Sequence, residues 1–397
     1  MLWLLYYGRL EKEKGFDSLV EAVKILQEKK IAFELFVFGK GSLESELLPL
    51  VWKNVHFFGF QPLSRIRQYV ENIDYCLMPS EFLETFGLSA LNALSRGLPV
   101  VGYKKWGLEP FIFPDCNLFV YKGQNTISRL VHCIEKLSQL SDQELKEKKS
   151  VYQTSISKLL KHYTKEERYQ RFLKLCWDKK PQKIILVSDF INKVWGIETY
   201  LHDVKDILES HGHEVKLWWW YLPKWWRGKL RIYLGLLFAP MNVWDTWRFK
   251  RFLKEEKPDL IFFNSLLRNL GRRVVKEGIK YKNKLDSSLC SEWQQVNIRM
   301  MYHDFGYFFP FPHKLFHLED CKTPLILSNF MFSVKNAGII TKLAVLCKYV
   351  WMKKLVRVLK KSVDLHLVPS EFMVNIVSKS YWVSQKKVKA FNHFIQE

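Results

Sequence analysis

The sequence predicts an α/β protein built of two doubly wound parallel sheets, one after the other in the chain. Three observations predict it. Short apolar runs alternate with amphipathic helical stretches from the first residues onward, the pattern of strands joined by crossover helices. The alternation pauses in an all-helical stretch from Thr126 to about Lys179 and starts again at Lys183. A strand-to-helix corner also occurs twice, as DYCLMPSEF at Asp74 to Phe82 and as DLHLVPSEF at Asp364 to Phe372, with the Asp, one Leu and the whole Pro-Ser-Glu-Phe shared. At 397 residues the chain is long enough for two domains with their own cores. They are expected to cover residues 1–180 and 181–397.

Trp3 to Tyr7 is a strand-length apolar run ended by Gly8-Arg9-Leu10, and Lys14-Gly15 leads into a helix with apolar positions at Phe16, Leu19, Val20, Val23 and Leu26. Phe33 to Gly39 reads as a second strand, Val55 to Phe60 as a third, and Ile66 to Val70 as a helix. A fourth strand ends at Met78. Pro79-Ser80 then opens a loop holding Glu84, Phe86 and Gly87, a helix runs from about Ser89 to Arg96, and Pro99 to Val101 is the next strand. Ligands of such sheets lie beyond the carboxyl ends of the strands, where Arg9, Lys14 and Glu84 all fall. Glu84 and Asn92 stand eight residues apart, one before the helix and one inside it, so both are expected to face one crevice. A carboxylate there suits neutral hydroxyls, such as those of a sugar, better than phosphate.

In the second half, Lys183 to Ser188 is a strand, Phe190 to Gly196 a loop and Ile197 to Ser210 a helix. Pro258 to Phe263 and Ile298 to His303 are further strands, the latter ending on a histidine. The closing VKAFNHFIQE carries a last strand.

Seven scattered cysteines with no C-x-x-C spacing point to a reducing compartment and away from structural zinc. The opening MLWLLYYGRL lacks the basic n-region and long apolar run of an export signal, so a cytoplasmic location is expected. A formal net charge of +22 calls for an anionic partner. No zinc-finger spacing and no aromatic RNP-like strand supports nucleic acid. A membrane surface fits better: Leu217 to Phe252 interleaves Lys and Arg with Trp218, Trp219, Trp220, Trp225, Trp226, Trp244 and Trp247. Trp favours the membrane–water boundary and cations favour anionic headgroups. The apolar run Ile232 to Val243 is too short to span, so peripheral contact at the inner face is expected, through Trp218, Trp219, Trp220, Trp225 and Trp226. The basic stretch Ile339 to Lys361 is read instead as a helix packing its apolar stripe on the core.

Residues Leu77 to Gly102 combine Pro79-Ser80, Glu84-x-Phe86-Gly87-Leu88 and Gly97-x-Pro99-Val100-Val101. This stretch resembles the signature of family 4 of the glycosyltransferases, retaining nucleotide-sugar enzymes with a GT-B fold of two Rossmann-like domains. Gly8-Arg9-Leu10 with Lys14-Gly15 is similar to that family's G-R-L-x-x-x-K-G, and Gly39 with Gly41 to its G-x-G. The first half thus resembles the family's C-terminal domain and the second its N-terminal domain, in reversed order. Asn92 stands where the family has the second Glu of its E-x7-E pair, and Trp195 where it has the first glycine of a Gly-Gly pair, leaving Gly196.

The resemblance implies a hexosyltransferase that takes a nucleotide-diphosphate sugar as co-substrate and a glycan or lipid-linked acceptor, in cell-surface polysaccharide synthesis. It implies that Arg9 and Lys14 hold the diphosphate and that Phe86, Gly87 and Leu88 offer backbone N–H groups. It further implies that Glu84 orients the donor sugar, that Asn92 touches ribose or sugar, that Gly196 approaches the phosphates, and that His303 closes the site from the other domain. No D-x-D occurs, so no metal cofactor is expected. An alternative left open by the domain order is an inactive fusion of two halves that binds sugar nucleotide or membrane without turnover.

Overall fold

The computed structural model describes residues 1–51, 54–118, 125–176, 182–189, 196–219, 243–266, 270–286, 296–303, 331, 338–381 and 383–394. The chain divides into two compact units. The first runs from Met1 to Arg168 and takes in the chain end from His393, and the second begins at Tyr169.

The first unit holds a five-stranded parallel sheet: β1 (Leu2–Arg9), β2 (Phe33–Lys40), β3 (Val55–Phe57), β4 (Tyr75–Met78) and β5 (Val100–Gly102), in the order β3-β2-β1-β4-β5. The helices α1 (Phe16–Glu28), α2 (Leu63–Val70) and α3 (Leu88–Leu94) connect them, α4 (Thr126–Ser138) and α5 (Asp142–Leu160) follow, and α6 (Lys165–Cys176) carries the chain from the first unit into the second. Phe16, Leu19, Val20, Val23 and Leu26 are all buried on one face of α1, each contributing about 1.5–3 kcal/mol relative to exposure. Capping boxes at Asn125 and Ser141 start α4 and α5. β3 stops three residues before its expected end. Gly59 turns into the left-handed region at φ 64°, and Phe60 beyond it is exposed.

Strand order reverses between β1 and β4, which makes their carboxyl ends the crevice of the unit. The two strands diverge there. β1 pairs with β2 over its whole length, Leu2↔Phe33 to Arg9↔Lys40, but with β4 only at Leu4↔Tyr75 and Leu5↔Cys76.

The second unit holds a six-stranded parallel sheet of β6 (Lys183–Ser188), β7 (Glu214–Trp219), β8 (Leu260–Ser265), β9 (Asn297–Met301), β10 (Leu365–Val368) and β11 (Val388–Ala390), ordered β11-β10-β9-β8-β6-β7. Its helices are α7 (Gly196–Ser210), α8 (Val243–Glu256), α9 (Gly271–Asp286), α10 (Ile339–Ser362) and α11 (Glu371–Tyr381). Both predicted Rossmann-like parallel sheets are therefore present. The aspartate shared by the two sequence repeats has a physical reason. Asp74 Oδ2 accepts from Trp3 N at 2.9 Å, and Asp364 Oδ2 accepts from Ile298 N at 2.7 Å. In each case an acid just ahead of one strand satisfies an amide at the start of its neighbour. Asp259 does the same for Lys183 N at 2.8 Å.

One expectation is corrected. Trp218 is not available to a membrane: it is 4% exposed, tilted against Phe249 with ring centroids 4.6 Å apart, and covered by the Arg248 guanidinium. It lies on the inward side of β7, where strand alternation places it. Trp219, on the other side, is partly exposed, while Trp220, Trp225 and Trp226 lie outside the described residues. We expect Trp218→Ala to cost roughly 3–5 kcal/mol of stability, read as a shifted urea midpoint. Helix α10 packs an apolar stripe on the core as expected, through Val345, Tyr349, Met352, Leu355 and Leu359, and carries a second apolar face, Ile339, Leu343, Leu346 and Val350, that is exposed. Among the described residues no helix is long and apolar enough to cross a membrane.

Candidate active site

At the β1/β4 crevice three loops meet. Tyr6 Oη donates to the carbonyl of Arg9 at 2.7 Å, fixing the end of β1. After the turn Lys12–Lys14 the chain reaches Gly15 at φ 66°. A Cβ there would stand 2.1 Å from the carbonyl oxygen of Pro79, so only glycine lets this loop seat against the one after β4. The loop after β2 joins through Glu11, whose carboxylate accepts from Ser42 N at 3.0 Å and from the Ser42 hydroxyl at 2.5 Å. Burial raises the Glu11 pKa, but the two Ser42 hydrogen bonds outweigh it and hold the carboxyl below its ordinary range.

This seating brings Lys14 and Glu84 together. Lys14 Nζ lies 2.5 Å from Glu84 Oε1, Ser80 Oγ donates to the same oxygen at 3.1 Å, and the ammonium sits 4.5 Å above the centre of the Phe82 ring. With both bonds on Oε1, the carboxylate can accept from a ligand hydroxyl through Oε2. Its backbone is held as well, since Gly107 N donates to the Glu84 carbonyl at 2.9 Å. Arg9 takes a different partner: its guanidinium pairs with Glu13 at 2.9 Å and is half exposed at the end of β1. Glu13 was not singled out from the sequence, and Ser80 was read only as part of the Pro79-Ser80 corner. Glu13 belongs to an E-K-E-K run that reads as a solvated helix start, and Ser80 gains its role only when the loop folds back.

Gly87, at φ 88°, begins α3, and a Cβ on it would stand 2.5 Å from Leu108 Cδ2. The Phe86 side chain is buried edge-on to Phe111 and Tyr163, so it anchors the loop, and Leu88 packs partly buried on the same core. Asn92 lies within α3, 4% exposed. Its backbone carbonyl accepts from Ser95 Oγ at 2.9 Å and from Arg96 Nη1 at 2.5 Å, whereas its side-chain Oδ1 is buried with no hydrogen-bond partner.

In the second unit Gly196 is the first residue of α7 rather than the last of a loop, and Trp195 lies outside the described residues. His303 stands two residues beyond β9, buried edge-on to Tyr200 of α7 with ring centroids 5.0 Å apart. Burial pushes its pKa down to about 3. Burial, helped by Lys387 and opposed by Asp364, takes His366 of β10 down to about 4. Both rings are neutral at pH 7. An imidazole in the unfolded chain titrates near 6.5, so below that pH the unfolded chain binds more protons and stability falls until the folded pKa values are reached. We expect a lower urea midpoint for the second unit at pH 5 than at pH 7, and a shallower pH slope in His366→Gln. Equal midpoints at the two pH values would contradict this.

Residues 2–154 match the family model described as Glycosyl transferases group 1. The amylovoran biosynthesis glycosyltransferase AmsK of Erwinia amylovora is 30% identical over 121 residues, 28% of this chain and 30% of that protein. The glycogen synthase of Mycobacterium tuberculosis is 31% identical over 110 residues, 26% of each. The chain thus spans less than a third of the length of these relatives. Among solved structures, the pneumococcal O-GlcNAc transferase GtfA in complex with UDP and GlcNAc is similar over 44% of this chain and 35% of its own, at 22% identity and a TM-score of 0.36.

Proposed function

We propose that the chain is a retaining glycosyltransferase that moves a hexose from a nucleotide-diphosphate sugar to a glycan or lipid-linked acceptor in cell-surface polysaccharide synthesis. The observation that carries this reading is the Lys14, Glu84 and Ser80 cluster at the β1/β4 switch point, inside the stretch matched by the family model. A lone carboxylate about 4 Å from a phosphate oxygen would be repelled by about 4 kcal/mol at an effective dielectric of ~20. Lys14 offsets that charge, so an acid that reads sugar hydroxyls can stand beside a diphosphate.

In this reading Lys14 and Arg9 face the diphosphate as negative charge grows on it, with the backbone N–H groups of Phe86, Gly87 and Leu88. Glu84 accepts hydrogen bonds from the donor sugar, and the unpartnered Asn92 Oδ1 accepts one from ribose or sugar. The acceptor oxygen donates a lone pair to the anomeric carbon on the face from which the diphosphate leaves, while the old C–O bond breaks and its electron pair stays on the diphosphate oxygen. The acceptor proton passes to the departing phosphate. Gly196 and His303, both in the second unit, are carried as further candidate substrate-binding and catalytic residues, and no metal takes part. The reaction belongs at the cytoplasmic face of the membrane, with Trp219, Trp244 and Trp247 as exposed indoles on that unit.

The test is nucleotide release from UDP-, GDP- and dTDP-hexoses by the purified chain, with and without glycan and lipid-linked acceptors, and the anomeric configuration of the product. Release with retention, unchanged by EDTA, is expected. A second reading, sugar-nucleotide binding without turnover, is favoured by Asn92, which cannot supply the charge of a carboxylate. Saturable binding with no release from any donor selects that reading and overturns the first.

A further inference from the structure

We propose that α10 is an anionic-lipid docking element whose first half enters the bilayer while its second half lies at headgroup level. Ile339, Leu343, Leu346 and Val350 recur at the spacing that keeps side chains on one helix face, and they are 76%, 57%, 37% and 44% exposed. The opposite face is buried through Val345, Tyr349, Met352, Leu355 and Leu359, so the helix is anchored while its open face stays apolar. Farther along, that open face turns cationic, with Lys353, Lys354, Arg357, Lys360 and Lys361 all exposed. No acidic residue occurs anywhere in Ile339–Ser362.

The order along the axis matches a bilayer in cross-section. The apolar stripe is about 16 Å long at 1.5 Å per residue, and the cations follow where phosphate headgroups would stand. Topology sets the direction. The last turn of α10 leads into β10 at the amino edge of the sheet. At about 36 Å the helix is longer than the strands of this sheet, which have three to six residues. α8 lies on the other side of α9 and presents Trp244 and Trp247, both exposed, in its own first turns. A second copy of the chain is a poorer occupant, because a helix with seven cations and no acid meets only like charge in its twin. The inference takes its biological setting from the membrane-side reading above, but lipid binding is measured without donor or acceptor, so the two can fail separately.

The experiment is co-sedimentation of the full chain with phosphatidylcholine vesicles containing no or roughly one-third phosphatidylglycerol, paired with sedimentation velocity. Binding to the anionic vesicles alone is expected, weakened at least tenfold by 0.5 M salt. Leu343→Glu with Leu346→Glu should weaken it at least tenfold with an unchanged thermal midpoint and unchanged turnover of a soluble acceptor. Lys353→Ala with Lys354→Ala should reduce both the binding and its salt dependence. Leu343→Trp should show a blue-shifted emission on anionic vesicles. Wild-type binding by the double Glu variant, an unshifted Leu343→Trp emission, or a dimer dissolved by the double Glu variant would each overturn the proposal.

Discussion

Glu84→Gln is expected to lower turnover of the sugar nucleotide by about 10²–10³-fold, the range typical for removing one preorganised group that meets developing charge. The substitution keeps the size and the hydrogen bond from Ser80 but removes the counter-charge of Lys14, leaving a mostly buried ammonium without its carboxylate. Lys14→Met is expected to do comparable damage from the other side, exposing the diphosphate to the uncancelled charge of Glu84. Because the two side chains share one contact, the double variant should cost little more than the worse single one. Steady-state kcat/KM for the four proteins checks this. Near-wild-type turnover in Glu84→Gln, or losses that simply add, would remove the pair from the reaction. Arg9, half exposed and tied to Glu13, should lose less on substitution by alanine.

The second large effect is expected on stability. Gly15→Val places a branched side chain on a backbone at φ 66°, with its first carbon 2.1 Å from the carbonyl oxygen of Pro79. Left-handed backbone in a residue of this kind costs roughly 1–3 kcal/mol, and the clash adds to it because the Cβ position is fixed by the backbone and the Pro79 oxygen is itself backbone, so neither can rotate away. A total of at least about 3 kcal/mol is expected, with loss of turnover as Lys14 is drawn from Glu84. Gly59→Ala provides the control. Its φ of 64° is nearly the same, but nothing lies within 4 Å of the added carbon, so about 1 kcal/mol is expected. Urea midpoints of the two variants separate backbone strain from collision. Equal destabilisation would mean that the loops do not seat against each other.

Much of this was readable in the chain itself. Strands and helices followed from apolar periodicity. The repeated D-x-x-L-x-P-S-E-F identified equivalent corners in the two sheets before any coordinates did, and its aspartate proves to satisfy an amide of the neighbouring strand at each corner. Arg9, Lys14 and Glu84 were found from position at strand ends and from a family resemblance. What could not be read was pairing across distance. Lys14 and Glu84 are 70 residues apart, and their contact depends on how closely Gly15 approaches Pro79. Side-of-strand was lost for Trp218, because three consecutive tryptophans hide the alternation that buries the first and exposes the second. For α10 the stripe was legible, but apolar periodicity marks a face without saying what covers it.

The short ladder between β1 and β4 has one further consequence. With backbone pairing confined to Leu4 and Leu5 on the β1 side, the two strands behave past that point like the open end of a zip. The amide protons of Tyr7 and Arg9, which alternate toward the β4 side, should therefore trade with deuterated solvent sooner than those of Glu34 to Phe36, and a molecule lodged between the strands should slow that trade by bridging the gap.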